Sequence, residues 1–273
     1  MAFPLFINIR GRLMDLSVPK VMGILNVTPD SFFDKSRTFD EGKIRERVVE
    51  MVNQGVDIID VGGCSTRPGY EAPSPEEEWK RVELGCRLVK EITPEIPLSV
   101  DTFRADVADM AIRHFRVDII NDVSGGTDSQ MWKTVAANRV AYVLTHNRPD
   151  GCMDYADPVA DVITELAKKI SDLHRLGLND VIIDPGFGFA KSLEQNFLLL
   201  KELDELSRMG LPILIGVSRK SMIYKTLNVS PSEALTGSIA LQAFALMKGA
   251  DILRVHDVKP AVETVKLFEN LYD

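Results

Sequence analysis

Eight times along this chain a short apolar run stops at a polar or glycine-rich cluster, and each run is followed by a longer stretch whose apolar residues recur at helical spacing. That alternation predicts a parallel sheet with helices packed outside it, rather than hairpins or a helical bundle. The runs lie near Val21 to Val27, Val56 to Val61, Leu98 to Asp101, Asp118 to Asn121, Val140 to Thr145, Val181 to Asp184, Ile213 to Val217 and Ile252 to Val255. They are almost continuously apolar, as strands covered on both faces must be. Eight such units predict a single (β/α)8 barrel, the TIM barrel, for which about 250 residues is typical. Residues 1–273 are expected to form one domain, with Met1 to Lys20 as a small strand or arm across the barrel bottom.

Helices are expected near Glu41 to Gln54, Pro75 to Glu91, Arg104 to Phe115, Asp128 to Ala137, Pro158 to Leu176, Leu193 to Arg208, Pro231 to Lys248 and Lys259 to Leu271. Ser74 with Pro75, and Ser230 with Pro231 and Glu233, are start signals, while Gly55, Gly177, Gly210 and Gly249 are stop signals. Two connections, Asn26 to Asp40 and Gly62 to Ser74, are too long for plain turns and follow the first two strands. Long loops at that end of a barrel are usually lids or substrate loops.

The C-terminal ends of all eight strands meet at one face, so the polar clusters converge on one cleft. Gly62, Gly63, Cys64, Ser65, Thr66, Arg67, Pro68 and Gly69 offer backbone amides, hydroxyls and a guanidinium, a set suited to phosphate or pyrophosphate; a glycine-rich turn with Arg67 in a surface ion pair is the alternative. Ser218, Arg219, Lys220 and Ser221 crowd two cations after strand seven, with Arg254 and His256 following strand eight on the usual phosphate side of this fold. Asp101, Asn121 and Asp184 end three strands and together could read the edge of an amino-oxo heterocycle, although each could instead serve a helix cap or a turn. His146 ends strand five, where a site role and a packing role are both open. His114, His174, Trp79 and Trp132 fall within helices and are read as surface or packing residues. Gly186, Phe187, Gly188 and Phe189 lack the third glycine and the acidic partner of a dinucleotide fingerprint.

Composition narrows the partner. The net charge is −8, from 32 basic and 40 acidic residues, with no block of like charges, which argues against nucleic-acid or acidic-membrane binding and for a small molecule. No run approaches the roughly 18 apolar residues of a membrane span. Three widely spaced cysteines, Cys64, Cys86 and Cys152, supply neither a disulfide framework nor a CxxC metal site, and together these features point to the cytoplasm.

The run from Met22 and Gly23 through Asn26, Val27, Thr28, Pro29, Asp30, Ser31 and Phe32, followed by Ser65 to Gly69, resembles the dihydropteroate synthase family of bacterial folate biosynthesis. Val100 to Thr102, Ile120 to Val123, Asp184 to Phe189, Ser218 to Ser221 and Arg254 to Val258 continue the resemblance in order, over roughly residues 20 to 270. The resemblance implies condensation of (7,8-dihydropterin-6-yl)methyl diphosphate with 4-aminobenzoate, a sulfonamide target, an Mg2+ cofactor and a homodimer. It assigns Asp101, Asn121, Asp184, Lys220 and Arg254 to the pterin. Asn26, Thr66, Arg67, Arg254 and His256 are implied to hold pyrophosphate, with Asn26 also at the metal. Phe32, Thr66, Pro68, Phe189, Lys220 and Ser221 are implied to frame the aminobenzoate. Asp101, Lys220, Arg254 and Asn26 would carry the catalysis, in which diphosphate leaves, a pterin methyl cation develops and the aryl amine attacks.

The chain departs from the commonest family pattern at Cys64, where Glu is frequent, at Asp34, Lys35 and Ser36, at Thr145 before His146, and at Ala190. Rival readings are a methyltetrahydrofolate–corrinoid methyltransferase, which would share the Asp, Asn, Asp trio, a Schiff-base aldolase using Lys220, and a pterin-binding paralogue without turnover.

Overall fold

The computed structural model describes residues 5–28, 40–64, 72–148 and 150–272. Eight parallel strands form the barrel: β3 (Lys20–Asn26), β4 (Ile58–Gly62), β5 (Leu98–Asp101), β6 (Ile119–Asp122), β7 (Ala141–Thr145), β8 (Val181–Asp184), β9 (Leu214–Ile215) and β10 (Ile252–Val255). Their order is β8-β7-β6-β5-β4-β3-β10-β9, and a parallel bridge between Ile183 and Ile213 joins the two ends into a ring. This is the (β/α)8 barrel that the alternation of runs predicts.

Period-two alternation divides each strand between two cores. Outward residues such as Ile59, Val61, Val100, Ile120, Leu144, Ile183 and Leu253 pack against the helices, while Ile58, Ile119, Ile182 and Ile252 point into the barrel, each fully buried. The helix Pro158–Arg175 shows how the outer ring is specified: it buries Val162, Leu166, Ile170 and Leu173, one stripe at steps of four and three residues. Asp157 caps it by accepting from the Val159 and Ala160 amides, and Gly177, at φ +81°, turns the chain off its end. Gly55, Gly210 and Gly249 also take positive φ after helices, as expected from the stop signals.

At the bottom of the barrel, β1 (Phe6–Ile9) and β2 (Arg12–Asp15) form an antiparallel hairpin whose Ile7 and Ile9, with Leu16, are buried against Met22 and the inward isoleucines. Aspartates at the strand starts secure this end. Asp57 accepts from the Val21 amide, Asp118 from Leu98, Asp180 from Asn8 and Asp251 from Ile213, at 2.7 to 2.9 Å.

Three expected elements differ. Strand seven is the two-residue Leu214–Ile215 rather than Ile213 to Val217, because the Lys220 amide turns back to the Val217 carbonyl and Arg219 takes φ +54°, lifting the chain out of the ladder. A helix, Ser221–Leu227, follows at once where none was expected; the next helix then spans Leu235–Met247 behind a single 3-10 turn, Pro231–Glu233, with Ser230 and Glu233 forming a capping box. The stretch Leu193 to Arg208 divides into Leu193–Lys201 and Asp204–Ser207, between which Leu203 drops into the core.

Candidate active site

Four strands that alternate around the ring carry the same short pattern. Asp57-Ile-Ile-Asp60, Asp118-Ile-Ile-Asn121 and Asp251-Ile-Leu-Arg254 are matched by Ile182-Ile-Asp184 after Asp180. Two residues beyond the layer of inward isoleucines, the same face of the same strands therefore presents Asp60, Asn121, Asp184 and Arg254. Layers of four side chains from alternate strands are how such barrels fill their interior. Here the uppermost of these layers is polar and buried, with Asp60, Asn121 and Asp184 at 0%, 1% and 5% exposure.

Arg254 organises this floor. Its Nε lies 2.7 Å from Asp60 Oδ2 and one terminal nitrogen lies 2.5 Å from Asp101 Oδ2, so one guanidinium ties β10 to β4 and β5. Burial works against the Arg254 charge, but Asp60 and Asp101 hold its pKa above the ordinary arginine value. Asn121 Nδ2 donates to Asp60 at 3.0 Å. Burial raises Asp101 to about 7, with Arg254 pulling it down and Asp60 and Glu78 pushing it up. Burial also raises Asp184, against the attraction of Lys220.

Lys220 closes one wall. Its ammonium donates to the Phe187 carbonyl and stands 4.7 Å from the centre of the Phe189 ring. Burial lowers its pKa to about 8, with Asp184 opposing the shift and Arg254 adding to it. Gly188, at φ +81°, lets this loop come close: a β-carbon there would stand 3.3 Å from Lys220 Cδ. Ser221 is the first residue of the helix that follows Lys220 and is partly exposed.

Asn26 and Asp101 flank Gly62, where a β-carbon would lie 3.1 Å from Asn26 Oδ1 and 3.7 Å from Asp101 Cβ. On the other side of β3, His256 Nδ1 lies 3.2 Å from Ser218 Oγ. The structure thus brings together Asn26, Asp101, Asn121, Asp184, Lys220 and Arg254, with Phe189, Ser221 and His256 around them. Phe32, Thr66, Arg67 and Pro68 lie outside the described residues.

Two readings from the sequence change. Arg219 does not join Lys220 in a cationic pair facing the cleft: the left-handed turn directs it away, into a two-pronged ion pair with Asp257 at 2.8 and 2.9 Å and onto the Pro231 and Ser232 carbonyls. Asp101 does not cap the helix Ala105–Phe115, whose first amide is taken by Asp128 at 2.8 Å. Asp184 serves both roles considered for it, since Oδ1 accepts from the Gly186 amide at 2.7 Å while the side chain remains in the floor. Trp79 packs on His114 and Phe115, and Trp132 donates to the Tyr142 hydroxyl, as packing residues would.

Asp60 escaped the sequence reading because it sits inside an apolar run; the repeated Asp-x-x-polar spacing was the signal that could have found it. A second group also escaped. Lys191 Nζ lies 2.9 Å from His146 Nδ1 and 3.1 Å from the carbonyls of both Gly186 and Phe189. His146 Nε2 lies 3.0 Å from Glu165, which also takes Arg148. Burial, then the Lys191 charge, lowers His146 to about 4, so the neutral ring accepts from Lys191 at Nδ1 and donates to Glu165 at Nε2. This resolves the open reading of His146: it braces the loop after β8 rather than lining the floor.

The chain belongs to the pterin binding enzyme family, whose profile matches residues 22–256. Within that family the similarity is to dihydropteroate synthases. The Bacillus subtilis (strain 168) dihydropteroate synthase is 39% identical over 254 residues, covering 91% of this chain and 87% of its own. The Xanthomonas albilineans dihydropteroate synthase structure with 4-aminobenzoic acid superposes with a TM-score of 0.92 at 36% identity, covering 99% of each chain. The structure of the synthase from the same organism in complex with 7,8-dihydropteroate gives 0.88 at 34% identity, covering 98% of this chain and 99% of the other.

Proposed function

We infer that this barrel condenses (7,8-dihydropterin-6-yl)methyl diphosphate with 4-aminobenzoate to give 7,8-dihydropteroate and pyrophosphate, the reaction of the synthases it resembles. The observation that carries this reading is the floor itself: three buried carboxylates, Asp60, Asp101 and Asp184, gathered with Asn121 around Arg254 and Lys220. Carboxylates and the Asn121 oxygen suit the N–H groups of an aminopyrimidinone ring. With Asp60 and Asp101 bonded to Arg254 and Asp184 facing Lys220, carboxylate oxygens line the floor beside the ring, which favours the positive charge that develops on the pterin methyl carbon as diphosphate departs.

Asn26, Arg254 and His256 would hold the leaving diphosphate as it collects negative charge, the role the resemblance also gives to Thr66 and Arg67. Lys220 places its ammonium over Phe189, the wall assigned to the aminobenzoate. The aryl amine then attacks the methylene carbon and gives up its proton to water, with no covalent enzyme intermediate. A Schiff-base aldolase would need the Lys220 amine disengaged, whereas here it is bonded to the Phe187 carbonyl.

The donor set fits Mg2+. Among the described residues no three His, Cys, Asp or Glu side chains gather to cage a metal, and Asn26 supplies an amide oxygen at the mouth beside Gly62. Magnesium is commonly held by one or two protein oxygens plus substrate phosphates. Asn26 and the diphosphate would share the ion, which would neutralise charge on the leaving group. We place the enzyme as a cytoplasmic homodimer on the family resemblance; among the described residues no helix is long and apolar enough to cross a membrane.

Pyrophosphate release, measured with each substrate alone and with both, tests the reading. Release should require both substrates and fall when Mg2+ is chelated. Equal release from the pterin diphosphate without aminobenzoate would mean a hydrolase and would overturn the proposal.

A further inference from the structure

We infer that Asp60 is a positioning residue that fixes which way round the Asn121 amide stands, and so sets the floor to accept hydrogen bonds rather than donate them. The inference rests on the dihydropterin reading above. Asp60 is fully buried in the middle of β4, and its Oδ2 takes both Arg254 Nε at 2.7 Å and Asn121 Nδ2 at 3.0 Å. Ion-paired to Arg254, Asp60 is a carboxylate and can only accept, so the Asn121 atom that meets it is the amide nitrogen. The planar amide then turns Oδ1 away from Asp60.

That oxygen is buried and has no hydrogen-bond partner among the described residues, and the same holds for Asp60 Oδ1. Buried acceptors are nearly always satisfied, so the Asn121 oxygen marks a surface shaped for a donor from outside the chain, while Asp60 Oδ1 has the Ser99 hydroxyl, likewise unpaired among the described residues, as its register neighbour on β5. Asp184, also acceptor-only, extends the surface across the floor. A ring edge bearing a 2-amino group beside N3–H is complementary to such oxygens. A ring with a carbonyl in place of that amine sets oxygen against oxygen. Among the described residues no other group bonds the Asn121 amide, so without the Asp60 carboxylate its NH2 could turn to meet the carbonyl.

The test compares two probes by calorimetry on the full chain: 6-hydroxymethylpterin, and 6-hydroxymethyllumazine, which carries 2-oxo in place of 2-amino. The unaltered protein should prefer the 2-amino ring by about a hundredfold, since a site built around specific hydrogen bonds rejects a mismatched partner strongly. In Asp60→Asn the preference should shrink about tenfold. The exchange variant D60N/N121D, which returns a carboxylate oxygen to the floor, should recover it. A folded Asp60→Asn variant that binds both rings more weakly but with the parental preference would overturn the inference while leaving the dihydropterin reading intact. Binding of neither ring by the unaltered protein would overturn both.

Discussion

Arg254, half-buried, and Lys191, buried, are both cations near the mouth of the barrel, yet their surroundings differ in kind. Arg254 is bonded to Asp60 and Asp101, in a layer where Asp60 Oδ1 and Asn121 Oδ1 have no partner among the described residues. Lys191 is bonded to backbone carbonyls and a neutral histidine ring, and among the described residues the buried side-chain nitrogens of Lys191 and His146 are all satisfied, although the neighbouring Thr145 hydroxyl is not. An unsatisfied buried acceptor destabilises a fold by about 1 to 3 kcal/mol, so the layer holding the Asn121 oxygen has a use outside folding. The first group is arranged for a ligand and the second for the loop that walls it. Gly186 shows how tightly that loop is fitted: it sits at φ +72°, and a β-carbon there would fall 1.9 Å from the His146 carbonyl oxygen.

The largest expected effect separates the two groups most sharply. Arg254→Met leaves Asp60 and Asp101 buried without their cation, which should destabilise the protein by about 3 to 5 kcal/mol. Turnover should fall by at least about a hundredfold, as when a preorganised charge is lost. Chemical unfolding and pyrophosphate release measure the two. Parental turnover in a folded variant would remove Arg254 from the site.

Asp184→Asn comes next. It keeps the size of the side chain but replaces an acceptor by a donor toward the ring, and should weaken 6-hydroxymethylpterin binding by about 2 to 3 kcal/mol. Because Asp184 Oδ1 also receives the Gly186 amide, some loss of melting temperature is expected alongside. Unchanged affinity with a lowered melting temperature would make Asp184 a turn residue only.

These two residues, with Asp101, Asn121 and Lys220, could be found from sequence because each stands where an apolar run gives way to a loop, and a barrel sends every such position to one face. Asp60 could not be found that way, since it lies two residues short of the Gly62–Gly63 turn and looks like an interruption of a strand. Arg219 and Lys220 are neighbours of like charge, and only the left-handed turn at Arg219 decides that one faces Asp257 and the other the cleft. The Lys191 cluster joins a loop lysine to a strand-end histidine 45 residues away and a helical glutamate, a pairing that no local pattern encodes. The fold was the easier part because it rests on repetition, whereas these side-chain pairings depend on single turns.

Lys191→Met should reverse the balance seen at Arg254. It removes the donor from the Gly186 and Phe189 carbonyls and from His146 Nδ1, so stability should drop by about 1 to 3 kcal/mol. Turnover should fall only about tenfold, through the looser loop carrying Phe189. Stability and rate are read by unfolding and by pyrophosphate release as before. A variant with parental stability and lost turnover would place Lys191 among the groups that act on substrate, and the contrast drawn between the two cations would fail.

The smallest effect concerns His146 and depends on pH. Burial, reinforced by Lys191, holds its folded pKa at about 4, below the ordinary value of 6.5. Between those two values the unfolded chain binds a proton that the native ring refuses, so native stability from this group is complete above about pH 6.5 and is lost progressively as pH falls toward 4. His146→Gln cannot titrate and can keep an acceptor toward Lys191 or a donor toward Glu165. Its unfolding free energy should therefore decline less steeply than that of the parent between pH 6.5 and 4, while turnover near neutrality stays within about twofold. Equal slopes for parent and variant over that window would mean that His146 is not held neutral in the native protein, and the picture of a fully satisfied brace beneath the loop would need a charged ring at its centre.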